Sequence, residues 1–481
     1  MAKFNATTAK TTLTRNNEGA VAYKMADKEK LVTQVLTSLF NENKFYGDNS
    51  EDLIETAKRL IDADARFVAN LCVYARNEMH LRSVSHALMG ELANREKGKK
   101  YARKAIGRIV ERVDDMTEIL SYYLSNYKKP VPNSIKKGLA DAFVMFDEYQ
   151  LAKYNRSNAV KLKDVLCIAH PKPKSDKQSD LFKRVLEDRL ETPATWETEL
   201  SAKGNTQESW EKLIAENRLG YMAALRNMRN IINADPSNIG KVYDMLSDEE
   251  KVLKSKQLPF RFYSAYKTLQ DEGAGTSKVY DALEKAIKAS TKNITKLPGK
   301  TFISADVSSS MTSYCISQKS TTTCAEIAVL LMALTNYICE ETITTTFDLA
   351  LRSCQLSTQN GILANAKSIR VNGGGTDITL PFRYLLSNSI RVDRIIILSD
   401  NEINAKYDHT CQRYVDEYRR TVNPDVWVHA IDLQGYGTQQ FKGKNINLIA
   451  GWSEKVLEFM HTAECGIETL MQKIENYCFE K

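Results

Sequence analysis

The sequence predicts two fold classes in one chain: an array of α-helix pairs, then a doubly wound α/β domain with a parallel sheet. Three observations predict this. Apolar residues recur at helical spacing from about 28 to 290, without alternating β-branched runs. Beyond Lys296, apolar strands alternate with helices. The first of those strands runs into Asp306-Val307-Ser308-Ser309-Ser310, so one carboxylate and two hydroxyls leave a strand end together.

Composition bounds the answer. A length of 481 residues allows about three domains, or two large ones. Hydrophobic residues at 43% and charged residues at 26% can build a real core. The net charge of +7 permits a nucleic-acid partner without requiring one. The first fifteen residues are polar and Thr-rich, unlike a secretory signal. The most apolar stretch, 325–339, is broken by Glu326, Thr335 and Asn336, and falls short of the ~20 residues a membrane span needs. Nine scattered cysteines lack any CxxC pair, so free thiols and a reducing cytoplasm are expected. The six histidines are dispersed, with no helical pair to bind zinc.

The helical half shows its period plainly. Phe67, Leu71, Tyr74 and Ala75 form one stripe, and Ile135, Leu139, Phe143, Phe146 and Tyr149 another. Pro130, Pro132, Pro171, Pro173, Pro193, Pro236 and Pro259 fall between periodic segments, where proline ends a helix cheaply. Antiparallel helix pairs in a solenoid or bundle are expected. Lys296-Leu297-Pro298-Gly299-Lys300 reads as a linker, which divides the chain into 1–297 and 298–481.

In the second half, 301–305 reads as a strand. A helix follows over 323–339, opened by a capping box of Thr323 and Glu326. Strands are expected at 342–347, 394–398, 426–432 and 446–449, and helices at 453–461 and 466–477. Ligands of such sheets collect at the carboxyl ends of the strands. Two further loops should reach that edge. In Asn372-Gly373-Gly374-Gly375-Thr376-Asp377 the glycines let Thr376 approach closely. In Leu398-Ser399-Asp400 the carboxylate emerges beside Asp306. Asp306, Ser308, Ser310, Thr376 and Asp400 then offer two carboxylates and three hydroxyls, an oxygen-only set suited to Mg²⁺, with Mn²⁺ as the alternative. The competing explanation is that Asp306 and the serines only cap the next helix.

DVSSSM, GGGTD and SDNE, in this order, resemble the metal-ion-dependent adhesion site of a von Willebrand factor A domain. The resemblance implies metal-ligand roles for the same five residues, some through water. A phosphatase of the haloacid dehalogenase type needs a second Asp where Ser308 stands, which argues against it.

Basic stretches mark the helical half. One runs from Lys97 to Lys104 and on to Arg108 and Arg112. Another holds Lys153, Tyr154, Arg156, Lys161, Lys163, His170, Lys172, Lys174 and Lys177. Lys and Arg suit phosphates, and interleaved Tyr suits unpaired bases, although such runs are commonly solvated helix faces. The segments NNEGAVAY, FVANLCVYARNEMHLR, KYNRSNAVKLKDVLCIAHPKP, TWETE and YMAALRNMRN resemble the TROVE module of the Ro ribonucleoprotein family, and DLQGYG and LIAGWSEKVLEF resemble its final strands. That resemblance implies a closed ring of HEAT-like helical repeats joined to the A domain. It implies a Y-like small RNA on the outer surface, single-stranded RNA 3′ ends in the ring, and an exoribonuclease partner in RNA quality control. Lys153 and His170 match the family's RNA-contact positions. The family arginine falls on Ser157, with Arg156 adjacent. The expected RNA-contacting set is Lys153, Arg156, Lys161, His170, Lys172 and Lys174.

The function expected is therefore an RNA-binding scaffold: monomeric, cytoplasmic, without a membrane or catalytic residues. The alternative is a metal-dependent protein-interaction module whose helices ignore RNA. A one-metal hydrolase needs a base beside the ion, and Glu402 is the nearest candidate.

Overall fold

The structure is a computed structural model of the 481-residue chain. It describes residues 12–15, 21–24, 26–37, 48–155, 158–315, 321–400, 410–434, 438–450, 456–464 and 467–479. Two compact units are present. One holds 27–36, 40–198 and 466–481, and the other holds 1–26, 37–39 and 199–465. The units cut across the 297/298 boundary drawn from sequence.

The first unit is helical. Its long Asp48–Asn77 helix packs against Ser83–Asn94 and Glu96–Ile109, and Glu96–Ile109 in turn against Asn133–Phe143. Phe67, Leu71 and Ala75 are buried as the period requires, and Tyr74 is half-buried. The second stripe departs from expectation. Ile135, Leu139 and Phe143 are buried on one helix, which ends at Val144. Asp147 then caps a new helix, Glu148–Tyr154, by accepting the Gln150 N–H at 2.8 Å. The break changes the helical phase, and Tyr149 is 55% exposed. Prolines act as read: Pro132 precedes Asn133–Phe143, and Pro259 opens Pro259–Asp271.

The last helix, Ile467–Glu475, belongs to this unit rather than to the sheet. Leu470, Ile474 and Phe479 are buried. Asn70 Nδ2 donates to the Glu475 carbonyl at 2.8 Å, and Tyr477 Oη to Glu78 at 2.9 Å. These contacts lie far apart in sequence, so no local pattern announces them.

The second unit joins helices of 207–290 to two sheets. Its strands are β1 (Thr12–Arg15), β2 (Val21–Lys24), β3 (Leu297–Asp306), β4 (Cys339–Phe347), β5 (Leu351–Cys354), β6 (Arg394–Ser399), β7 (Trp427–Asp432), β8 (Thr438–Gln439) and β9 (Ile446–Ala450). The large sheet has the order β5-β4-β3-β6-β7-β9. All its neighbours run parallel except β5, an antiparallel edge strand that the sequence reading did not contain. A small antiparallel sheet, β1-β2-β8, was likewise not expected. The supposed linker is part of β3. Register shifts between Leu297 and Lys300, where Gly299 takes φ +79°. Proline and positive-φ glycine suit a bulge as well as a linker, so composition alone could not separate the two.

Helices cover both faces of the sheet. Phe302, Ile395, Ile397 and Val428 pack on one face with Phe382, Leu385 and Tyr418 from helices Leu380–Ser387 and Thr410–Thr421. Cys324–Ile338 packs on β3 and β4, capped as predicted, with Glu326 N–H on Thr323 Oγ1 (3.2 Å) and Thr323 N–H on Glu326 Oε2 (2.8 Å). Helix Val456–Glu464 supplies Glu464 to a buried polar cluster. Arg394 donates to it at 2.6 and 2.8 Å, and His429 Nε2 lies 2.9 Å away. Among the described residues no helix is long and apolar enough to cross a membrane, and all eight cysteines are free thiols.

Candidate metal centre and nucleic-acid interface

The sheet gathers acids along one edge. In parallel strands the carboxyl ends align, and register places Asp306 beside Phe347 and Ser399 beside Asp432. Asp348 follows β4, Asp306 ends β3, Asp400 follows β6, and Asp432 ends β7. Four buried aspartates thus stand on four adjacent strands. Asp348 and Asp432 were missed from sequence because neither sits in a motif; only the strand order brings them there. Asp348 is tied by Arg352 at 2.9 Å.

Of the residues expected to hold the ion, the structure brings Ser308 and Ser310 close to Asp306. One of its oxygens accepts the Ser308 N–H at 2.9 Å and the other the Ser399 hydroxyl at 2.6 Å. Ser308 and Ser310 hydroxyls lie 3.2 Å apart. Ser308 begins the short helix Ser309–Ser313, yet its hydroxyl caps no N–H of that helix. The glycine loop docks on this turn: Gly373 N–H donates to Val307 O at 3.0 Å, and Ser309 N–H to Gly374 O at 2.9 Å. Gly373 and Gly374 hold φ +73° and +133°, a backbone that side chains resist. Thr376 follows two residues on, half-buried. The next residue, Asp377, is spent on starting helix Leu380–Ser387 by accepting Thr379 N–H at 3.0 Å. Asp400 is buried at the end of its strand. Residues 401–409, including Glu402, lie outside the described residues.

Burial, and then the charge of Asp400, push the Asp306 carboxyl up to about 7. Among the described residues no lysine or arginine is bonded to Asp306. Two adjacent buried carboxylates with clustered hydroxyls match the oxygen donors a hard divalent cation takes, and such an ion would remove the repulsion between them.

The residues expected to contact RNA lie in the first unit, on the short helices 148–154 and 162–169 and the turns beside them. Lys153 sits in the last turn of Glu148–Tyr154, its Nζ 5.9 Å from the Tyr149 ring centroid and 5.7 Å from that of Tyr154. It pairs with no carboxylate among the described residues. Lys161 precedes helix Leu162–Ala169, its N–H bonded to Asp164 Oδ2 at 2.7 Å. His170 ends that helix in the left-handed region, φ +50°, and is exposed. Lys172 and Lys174 are exposed just beyond. Arg156 and Ser157 lie outside the described residues. The other basic stretch is largely consumed internally: Lys99 pairs with Glu96 at 2.6 Å, Arg103 with Asp141 at 2.6 Å, and Arg108 donates to Phe479 O at 3.1 Å.

The TROVE domain model matches residues 7–189 and 183–279, and the Ro60 vWA domain model residues 300–462. Telomerase protein component 1 of Rattus norvegicus is 25% identical over 325 residues, 50% of this chain and 12% of that protein. The Mus musculus protein of the same name is 24% identical over 335 residues, 51% of this chain and 13% of that one. The chain therefore spans a small part of the length of these relatives. The crystal structure of Deinococcus radiodurans RO (RSR) protein shares the fold, with TM-score 0.65 at 16% identity, over 90% of this chain and 100% of that one.

Proposed function

Because the chain belongs to the Ro ribonucleoprotein family, its TROVE match alone covering more than half of it, we propose that it is an RNA-binding scaffold without catalytic residues of its own. Structured Y-like RNA docks on the cationic surface of the first unit. Single-stranded 3′ ends of misfolded transcripts enter a ring of helical repeats, and an exoribonuclease degrades them in the cytoplasm. The protein acts as a monomer. Asp306, Ser308, Ser310, Thr376 and Asp400 hold Mg²⁺ or Mn²⁺, which adds a positive charge at the sheet edge for an acidic group to meet.

The observation that carries this reading is the run of half-buried Lys153 and Lys161 and exposed His170, Lys172 and Lys174 inside the TROVE-matched segment, with Lys153 paired to no carboxylate among the described residues. Phosphate contacts release counterions, so affinity should fall steeply with salt. Replacing Lys153 and His170 together by alanine should weaken a structured RNA about tenfold or more and flatten the salt slope by about one per lost phosphate contact. An unchanged affinity in the double variant sinks the assignment of this surface. A second reading, a metal-dependent protein-interaction module, draws on the hydroxyl-lined acidic edge. It would be favoured if the wild-type protein bound no RNA in dilute buffer.

A further inference from the structure

At Lys153 the first unit carries a pocket of ≈ 220 Å³. Its walls come from two elements. Phe146, Tyr149, Gln150, Lys153 and Tyr154 lie on or just before the Glu148–Tyr154 helix, and Arg112 stands at the start of Val113–Asn126. We infer that this pocket takes one unpaired nucleobase of the bound RNA, stacked on tyrosine with its phosphate at Lys153. The inference rests on the RNA-binding reading and adds a base-accepting site to it.

Size comes first. A dry cavity of about 150 Å³ holds a single six-membered ring. The space here exceeds that, yet stays below the ~300 Å³ at which pockets for drug-sized ligands begin. One planar mono- or bicyclic ring suits it. Chemistry comes second. Tyr149 is 55% exposed although its aromatic ring is costly to leave in water, and Met145 nearby is 59% exposed. The Arg112 guanidinium stacks over the Tyr154 ring at 4.8 Å, and Lys153 lies within 6 Å of both tyrosine rings. Aromatic faces interleaved with cations are what single-stranded nucleic-acid sites use, because every base offers a π-face and carries a phosphate. Gln150 Oε1 is occupied by the Asp147 N–H at 3.0 Å, which leaves its amide N–H groups for a base edge. Glu111 on the rim is already paired with Arg76 at 2.9 Å, which limits its repulsion of phosphate.

The pocket is also held in shape before any ligand arrives. Asp115, fully buried, accepts the backbone N–H groups of Glu111 (3.0 Å) and Arg112 (2.8 Å). The same carboxylate takes Arg76 at 3.2 Å and Arg82 at 2.8 Å. That network fixes one wall, so little ordering cost falls on binding.

The test uses the full chain and two RNA probes. One is a short unpaired oligoribonucleotide with 2-aminopurine at its centre, and the other is the same strand annealed to its complement. Wild type should change the 2-aminopurine fluorescence of the unpaired probe and leave that of the duplex, already low from base stacking, unchanged. Tyr149→Ala, at an exposed position safe for folding, should lose that fluorescence change and weaken the unpaired probe about five- to hundredfold. Tyr149→Phe should keep both. Duplex binding should change less than threefold with Tyr149→Ala, and Lys153→Met should weaken both probes alike. Tyr149→Ala that changes the fluorescence and binds like wild type overturns the base site. Equal losses for both probes in Tyr149→Ala overturn it too, while leaving RNA binding intact. A wild-type protein that binds neither probe overturns the RNA reading itself.

Discussion

Glu464→Gln should destabilise the sheet domain by about 3 kcal/mol at neutral pH. Arg394 is 3% exposed at its side chain and Glu464 15%. Burial alone would raise the Glu464 carboxyl, but the bonds from Arg394 and His429 hold it down at about 2. A carboxyl at about 2 instead of the ordinary 4.5 corresponds to about 3 kcal/mol of favourable interaction. The independent expectation, that removing one partner of a buried pair costs about 3–5 kcal/mol, agrees. The glutamine keeps one acceptor oxygen for Arg394 but removes the countercharge and the second acceptor, leaving the guanidinium charged and buried, with Thr301 Oγ1 at 2.8 Å as a neutral acceptor. For a unit of this size the melting temperature should fall roughly 6–12 °C, read by circular dichroism and by hydrogen exchange of strand 427–432. The pH dependence has a definite sign. The folded pKa lies below the unfolded one, so the stabilisation is complete above about pH 5 and is lost as pH falls from about 4.5 toward 2. His429, kept neutral by burial, does not reverse this above its own range. The gap between wild type and variant should therefore close in acid. Adding Arg394→Met should recover most of the loss, since the buried charge goes with its partner. A melt within 2 °C of wild type at pH 7, or an equal deficit at pH 3 and pH 7, refutes the argument.

Two further perturbations test the ion site and the chain terminus. Mg²⁺ at a hundred times its dissociation constant should stabilise wild type by about 2.7 kcal/mol, and Asp306→Ala should abolish that shift in differential scanning fluorimetry; a retained shift moves the ion elsewhere. Ile474→Asp buries a charge where Ile474 is fully enclosed and should cost more than about 3 kcal/mol. It should free the 467–475 helix to proteolysis while the sheet domain stays protected. A variant as protease-resistant as wild type shows that the helix does not hold the first unit together.

How much of this was legible depends on range. Strands β3, β6 and β7 were readable because a strand covered on both faces is almost uniformly apolar; the structure reproduces β6 and β7 within a residue, while β3 starts four residues earlier than read, inside the expected linker. The capping box at Thr323 was readable because its two bonds are local. Four-residue strands such as β1, β2 and β5 carry too few residues for a period, and β5 gains its identity only from β4 beside it. The helix 467–475 looks like any amphipathic helix; its partner, Asp48–Asn77, lies some four hundred residues away. Asp306, Ser308, Ser310, Thr376 and Asp400 were named because they cluster in loops that follow strands. Asp348 and Asp432 were not, since a lone Asp after a strand says nothing until the strand order is known.

Tyr149 carries the sharper lesson. Counted as an apolar residue, it extends the Ile135 stripe and should be core. The count assumes that the helix keeps its phase, about 100° per residue, through Phe146. The chain instead leaves the helix at Val144 and starts another under the Asp147 cap. Each residue outside helical geometry resets the angle, so the face that holds Phe143 in the core no longer holds Tyr149 there. An Asp with Gln three residues on is a readable helix start, and Asp147 with Gln150 is such a pair. Given its due, that signal moves Tyr149 from the core to the surface, beside Lys153 and Tyr154. A tyrosine that an amphipathic stripe predicts to be buried, and that a helix cap then rotates out, is therefore a residue whose exposure calls for a ligand. Here the neighbouring cations, Lys153 and Arg112, are what point the proposal to a nucleobase with its phosphate.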